Sequence, residues 1–346
     1  MSEEHPNRPA IAAVEHTAPS GQRPEAPQVD FPPVRNGIDY LRSVIDHLSR
    51  EKRDARDLKY AVLHLQAATE VLLKARLQEE HWSLVFDNPL VASREDLASG
   101  DFSSCGVTET ISRLERFANV HLEVKHVRAI KNLTQDRNKL QHYGLTHNAR
   151  AIEARATEVL HFLLDFVHLE LVRHIDRDEW DRISFELDHV RHALGDIEGF
   201  VSRRMNDLKA DIAEVADHII QCPDCGQWAA IVLHGVRCTF CHLVLEPAEH
   251  AVSWGPNSWR SDNSNASASA EPTSDCPQCG RRAFIGSIFF ETAREKPQYA
   301  CFHCQYKTDT AHCARCSRPF PADGNRCECG TCQSPTLAVP EPRNSD

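Results

Sequence analysis

The sequence has no run of 18 or more apolar residues, which leaves no candidate transmembrane helix and no expected membrane partner. Its start, Met1-Ser2-Glu3-Glu4, is acidic and is not followed by an apolar stretch. It does not read as a secretory signal, so the expected location is cytoplasmic. Net positive charge is also lacking: 39 Lys and Arg stand against 50 Asp and Glu, a formal −11. Attraction of the whole chain to nucleic acid is not indicated, and any polyanion site must be local. One local candidate is 121–142, where Lys125, Arg128, Lys131, Arg137 and Lys139 outnumber Glu123 and Asp136. Ahead of Cys222, finally, the chain has a single cysteine, Cys105, which is expected to be a buried thiol. All the other cysteines lie from Cys222 onward, mostly as Cys-x-x-Cys pairs. Without an export signal, that pattern favours metal sites over disulfides.

A length of 346 residues is enough for two or three domains. Residues 1–36 carry seven prolines and little apolar content, and read as a disordered tail. Residues 37–178 read as a bundle of four or five helices with mostly short, antiparallel connections. Ile38, Leu41, Ile45 and Leu48 form one apolar seam; Leu58, Val62, Leu65, Thr69 and Leu72 form a second, in a longer helix reaching about Glu80. Glu70 and Lys74, four apart, are in the favourable order for a helical ion pair. After an irregular stretch over 81–107 come helices over 108–119, 122–143 and 149–175, with Gly144 suited to cap the second and Asn148 the third. Over 179–220, Ile183, Leu187, Val190, Leu194, Ile197, Val201, Met205, Leu208, Ile212, Val215 and Ile219 step by three and four. That near-heptad seam predicts one long amphipathic helix, packed on the bundle or standing off as a coiled-coil arm, with Gly195 and Gly199 weakening its middle and permitting a bend there. Residues 251–275 read as a flexible linker and 333–346 as a disordered end.

The cysteines fall into modules. Cys222 and Cys225 are followed by Cys238 and Cys241; Cys276 and Cys279 by Cys301 and Cys304; Cys313 and Cys316 by Cys329 and Cys332, with Cys327 as an alternative ligand. The segments between them, such as Trp228-Ala-Ala-Ile-Val-Leu and Ala283-Phe-Ile-Gly-Ser-Ile-Phe-Phe, read as short strands. Two Cys-x-x-Cys turns at hairpin tips present four thiolates as a tetrahedron, the closed geometry of structural zinc. The reading is zinc ribbons at 221–250 and within 276–332, holding two or three zinc ions. No open coordination position remains for metal catalysis. His242, His303 and His312 lie beside ligands and are expected to be neighbours of the sites rather than ligands. The whole is a mainly α chain: an up-and-down bundle, a long amphipathic helix and small β ribbons.

One stretch breaks its own pattern. The seam Val127, Ile130, Leu133 reaches position 137 at helical spacing, and an arginine stands there. Burying it requires a partner, or snorkelling to the bundle edge. The run is Arg137-Asn138-Lys139-Leu140-Gln141-His142, then Tyr143. Together with Ala61-Val62-Leu63-His64-Leu65 and Ala68-Thr69-Glu70-Val71-Leu72-Leu73-Lys74, it resembles the HEPN superfamily of helical bundles over 38–175: an arginine, a polar residue, three more, then a histidine. The resemblance implies a metal-independent endoribonuclease, dimeric so that both motifs face one RNA cleft, with a toxin or defence role and an antitoxin or other protein partner. It assigns His142 as the acid/base and Arg137 as the phosphate clamp, with Asn138 orienting and Tyr143, Lys139 and Lys131 contacting substrate. The chemistry is self-consistent. RNA carries its own nucleophile, imidazole moves protons near neutral pH, and guanidinium binds phosphate. Arg137 and His142 lie about 140° apart on a regular helix, so one helix does not easily aim both at one phosphate, and pairing across a dimer or a distorted last turn is required. The competing expectation is a non-catalytic zinc-ribbon adaptor binding RNA or protein, with the bundle as dimeriser.

Overall fold

The computed structural model describes residues 29–253, 273–316, 319–322 and 332. The first helix, α1 (Pro33–Leu48), starts inside the segment read as a tail, because Pro33 with its fixed φ suits a helix's first turn. An acidic capping box opens α2 (Ala55–Glu80): Asp54 accepts from the Asp57 backbone and Asp57 from that of Asp54. Then come α3 (Arg94–Ser99), α4 (Val107–Phe117), α5 (Val124–His142) and α6 (Ala149–Phe166), with Asn148 capping the last. The long α2 is central and packs against α1, α4, α5 and α6. Ile38, Leu41, Ile45, Leu48, Val62, Leu65, Leu72, Val159 and Leu163 are all buried between these helices. Each fully buried aliphatic of this kind contributes about 1.5–3 kcal/mol. Cys105 is buried and free. Arg113 fastens the irregular stretch after α2 by donating to the carbonyls of Leu84, Phe86 and Asp87.

Two expectations are corrected here. The helix read over 149–175 is α-helical to Phe166, then widens into a π turn (Val167–Leu171) and a 3-10 turn (Val172–His174). The long helix read over 179–220 is three: α7 (Arg177–Leu194), α8 (Glu198–Asp207) and α9 (Lys209–Glu214). The first break falls where Gly195 passes the carbonyl of Cys225; a Cβ on it would lie 2.4 Å from that oxygen. The seam still works as a burial signal. Ile183, Leu187, Val190, Leu194 and Ile197 are buried, with α7 against α1 and α8 against α6. The last apolar step, Ile219, belongs to a strand.

The strands are β1 (Ile219–Gln221), β2 (Trp228–Val232), β3 (Val236–Cys238) and β4 (Val244–Leu245), then α10 (Ala248–Ser253), then β5 (Phe284–Phe290), β6 (Ala293–Cys301), β7 (Lys307–His312) and β8 (Pro319–Pro321). The first two ribbons are not separate modules. All eight strands form one antiparallel sheet in the order β4-β3-β2-β1-β5-β6-β7-β8. The join is narrow: Ile220 pairs with Phe290, and Glu291 N donates to Ile219 O at 2.8 Å. A lone ribbon has too little apolar surface for a core. Side by side, the two bury Ile219, Ala229, Phe240, Phe284, Ile288, Phe290 and Phe302. The linker expected over 251–275 lies, apart from 251–253 and 273–275, outside the described residues, as do the C-terminal end over 333–346 and residues 1–28 of the tail.

Candidate functional site

Between α2, α4 and α5 lies a cleft of about 600 Å³ lined by Gln66, Glu70, Glu109, Lys131, Thr134, Gln135, Arg137 and Asn138, among others. Arg137 is half-buried at its edge. Its Nε donates to Gln66 Oε1 at 2.9 Å, and its Nη1 to Asn138 Oδ1 at 2.9 Å. Gln66 is itself buried, and its Nε2 donates to Glu70 Oε2 at 3.2 Å. Lys74 completes the row, donating to Glu70 Oε1 at 2.6 Å and to Ser104 Oγ at 2.8 Å. Burial pushes the Glu70 carboxyl upward, but Lys74, Gln66 and the charge of Arg137 outweigh it and hold it below its ordinary value. The guanidinium is thus fixed from behind, with three of its five N–H groups left for a ligand.

Of the residues the sequence singles out, the cleft brings together Arg137, Asn138 and Lys131. His142, Lys139 and Tyr143 are outside its lining; Tyr143 is 99% exposed. His142, the last residue of α5, is exposed and has no hydrogen-bond or ion-pair partner among the described residues. Sequence reasoning missed Gln66. Its signal was an uncharged amide beside Leu65 on the apolar side of α2, which, like Arg137, needed a partner.

The cysteines gather as their spacing predicts. Cys222, Cys225, Cys238 and Cys241 form one group, Cys276, Cys279, Cys301 and Cys304 a second, and Cys313, Cys316 and Cys332 a third. Cys327 and Cys329 lie outside the described residues. Within the first group, the Cys222–Cys241 and Cys225–Cys238 sulfurs are 3.7 and 3.8 Å apart; within the second, Cys276–Cys304 and Cys279–Cys301 are 3.6 and 3.7 Å apart. A tetrahedron with a metal–sulfur bond of about 2.3 Å has an edge of about 3.8 Å. A disulfide needs about 2.05 Å, so the spacing fits four ligands on one ion and not a covalent bridge. Hydrogen bonds from the other three thiols hold Cys222 far below the usual thiol range. Cys225 and Cys241 are pushed up beside that thiolate, and burial first does the same to Cys238. Ionising all four thiols together, as ligation of one ion demands, needs a cation among them, and the group is compatible with one.

The first group is tied to the helices. Arg204 of α8, 1% exposed, donates to the carbonyls of Thr239 and Phe240 inside the Cys238–Cys241 turn and to Asp165 of α6 at 2.8 Å. His242 is no ligand. It meets Asp165 at 2.7 Å and stacks on His168 of the π turn at 4.4 Å. Burial pushes Asp165 up, but bonds from His161, His242 and Arg204 prevail and place it well below the carboxylate range.

Among the described residues, this is a mainly helical protein with an antiparallel sheet carrying three cysteine groups compatible with structural zinc, and no helix is long and apolar enough to cross a membrane. No family model, curated protein or solved structure matches the chain.

Proposed function

We propose that the chain is a metal-independent endoribonuclease of the HEPN type. It works as a homodimer of up-and-down bundles, with zinc held structurally by its ribbons and the ribbons contacting target or partner. The observation that carries this is the outer face of α5. Arg128, Lys131, Lys139 and His142 are exposed on it, and none makes an ion pair with a described residue. The one acid in that stretch, Asp136, is buried and paired with Arg155 at 2.7 Å. In a chain of charge −11, the unpaired Arg128, Lys131 and Lys139 along one helix face beside a polar cleft favour local contact with a polyanion.

The reaction needs no metal. The ribose 2′-hydroxyl attacks its own phosphorus and the bond to the 5′-oxygen breaks. One neutral imidazole takes the 2′-proton and one imidazolium gives a proton to the leaving oxygen. The products are a 2′,3′-cyclic phosphate and a 5′-hydroxyl. Arg137, braced by Gln66 and Asn138, stabilises charge on the pentacoordinate phosphorus. Because Arg137 and His142 diverge on one helix, the pairing is completed by the second copy.

The second reading, a non-catalytic RNA- or protein-binding adaptor, is favoured by the place of His142 outside the cleft. One experiment separates them. Full-length protein is incubated with total RNA in EDTA, beside Arg137→Ala and His142→Ala. The expected result is cleavage by wild type leaving cyclic phosphate ends, with each variant down at least about 100-fold. Retention of RNA without cleavage supports the adaptor, and equal cleavage by all three proteins overturns the assigned roles.

A further inference from the structure

The turn between β2 and β3 reaches across to the second cysteine group. Gly235 N donates to Phe302 O at 2.9 Å, and Gln305 Nε2 to Val232 O at 3.0 Å. These bonds set His234, at the tip of the turn, against His303, which lies between Cys301 and Cys304. The two rings meet edge to face with centroids 4.8 Å apart, and their Nδ1 atoms are 3.4 Å apart. Neither imidazole has another hydrogen-bond partner among the described residues. His234 sits in the left-handed region at φ 55, a conformation that costs a non-glycine residue energy. Gly235, at φ 143, packs so closely that a Cβ there would lie 2.4 Å from Leu245 O and 2.8 Å from Glu246 Cγ. A carboxylate therefore stands next to the turn. His234 acts electrostatically on Glu246, and His303 on Glu249. Their other partners are Arg237 at 2.6 Å and Arg281 at 3.2 Å.

For a hydrogen bond between two ring nitrogens, 3.4 Å is long. For two imidazoles on one ion it is the right length, since a tetrahedron with metal–nitrogen bonds of about 2.0–2.1 Å has an edge of about 3.4 Å. We propose that His234 and His303 form a further metal site for a divalent ion that takes tetrahedral coordination, of the zinc or cobalt kind, ligated by the two Nδ1 atoms. Neutral imidazole is the ligand those ions share. Each ring carries its proton on Nε2, and water or a neighbouring carboxylate completes the coordination. The ion links the first ribbon's turn to the second ribbon's knuckle, away from the narrow β1–β5 join. Nothing in this rests on the ribonuclease reading.

The test titrates Co²⁺, which accepts tetrahedral sites and is distinguishable from zinc, into untagged full-length protein by calorimetry, with its cysteine-held metal in place. Wild type is compared with His234→Asn, since asparagine tolerates the left-handed turn, and with His303→Gln. His147→Gln, on an exposed histidine in the helical part, is the control. The expected result is one saturable equivalent in wild type and control, weakened at least about ten-fold in both other variants. Cysteine-held metal, measured by elemental analysis, stays unchanged in His234→Asn, which separates loss of this site from loss of a ribbon. No saturable site in wild type, or one that His234→Asn leaves unchanged, overturns the proposal.

Discussion

The first and second cysteine groups share nearly the same sulfur spacings, 3.6 to 3.8 Å, yet their surroundings are opposite. All four cysteines of the first are buried, and α7 and α8 press on the ribbon that holds them: Gly195 against Cys225 O, Arg191 on Asp224 at 3.0 Å, Arg204 inside the Cys238–Cys241 turn. In the second, Cys279 is exposed and Cys304 half-buried. A Cys-x-x-Cys turn sets ligand geometry by itself; what packs on it sets access. One ribbon has become part of the helical core, while the other keeps a face for something else.

The sharpest way to break that comparison is at Arg204. Arg204→Ala leaves Asp165 with only its histidine partners and takes a donor from the carbonyls of Thr239 and Phe240, and should cost about 3 kcal/mol in denaturant unfolding. The same truncation at exposed Arg282, beside the second group, should cost almost nothing. Equal losses would mean that the first ribbon is not keyed to the helices through this side chain. A second measurement follows metal release into a chelator, with alkylation marking which cysteines become free. Cys276, Cys279, Cys301 and Cys304 should react before Cys222, Cys225, Cys238 and Cys241; the reverse order would undo the link between burial and access. The smallest effect is in pH. Burial first, then the charge of His242, push His168 down to about 4 from 6.5. A histidine with a lowered native pKa contributes stability fully above its unfolded value and loses it as pH falls toward the native one. Stability should therefore decline between pH 6.5 and 4, and His168→Gln should flatten that window. At this half-buried position the difference should be below about 1 kcal/mol. Asp165 titrates lower still, so its loss lies below the window.

Much of this was legible in the residues. Seams such as Ile38, Leu41, Ile45 and Leu48 went inside because helical spacing forces apolar side chains onto one face. The cysteine pairs met because the turns holding them are local. What the sequence hid is non-local. A three-and-four rhythm from Ile183 to Ile219 records burial but not direction; Gly195 marked a weak point in it, but the Cys225 carbonyl that the turn packs against lies far along the chain. Arg204 sits among charged neighbours and reads as solvated; its burial depends on carbonyls 35 and 36 residues away. Arg137 did announce itself as an arginine on an apolar seam, but its partner Gln66 is 71 residues distant.

The joining of β1 to β5 has a temporal side. Ile220 waits for Phe290, far along the chain, while its other neighbour, Ala230, arrives with the same short hairpin. During synthesis the helices and the first ribbon are complete before β5 has left the ribosome, and until then one edge of β1 is an open row of backbone donors and acceptors. A chain halted just after Ser253 would carry that edge permanently, and such nascent or truncated forms are where self-association through β1 should begin.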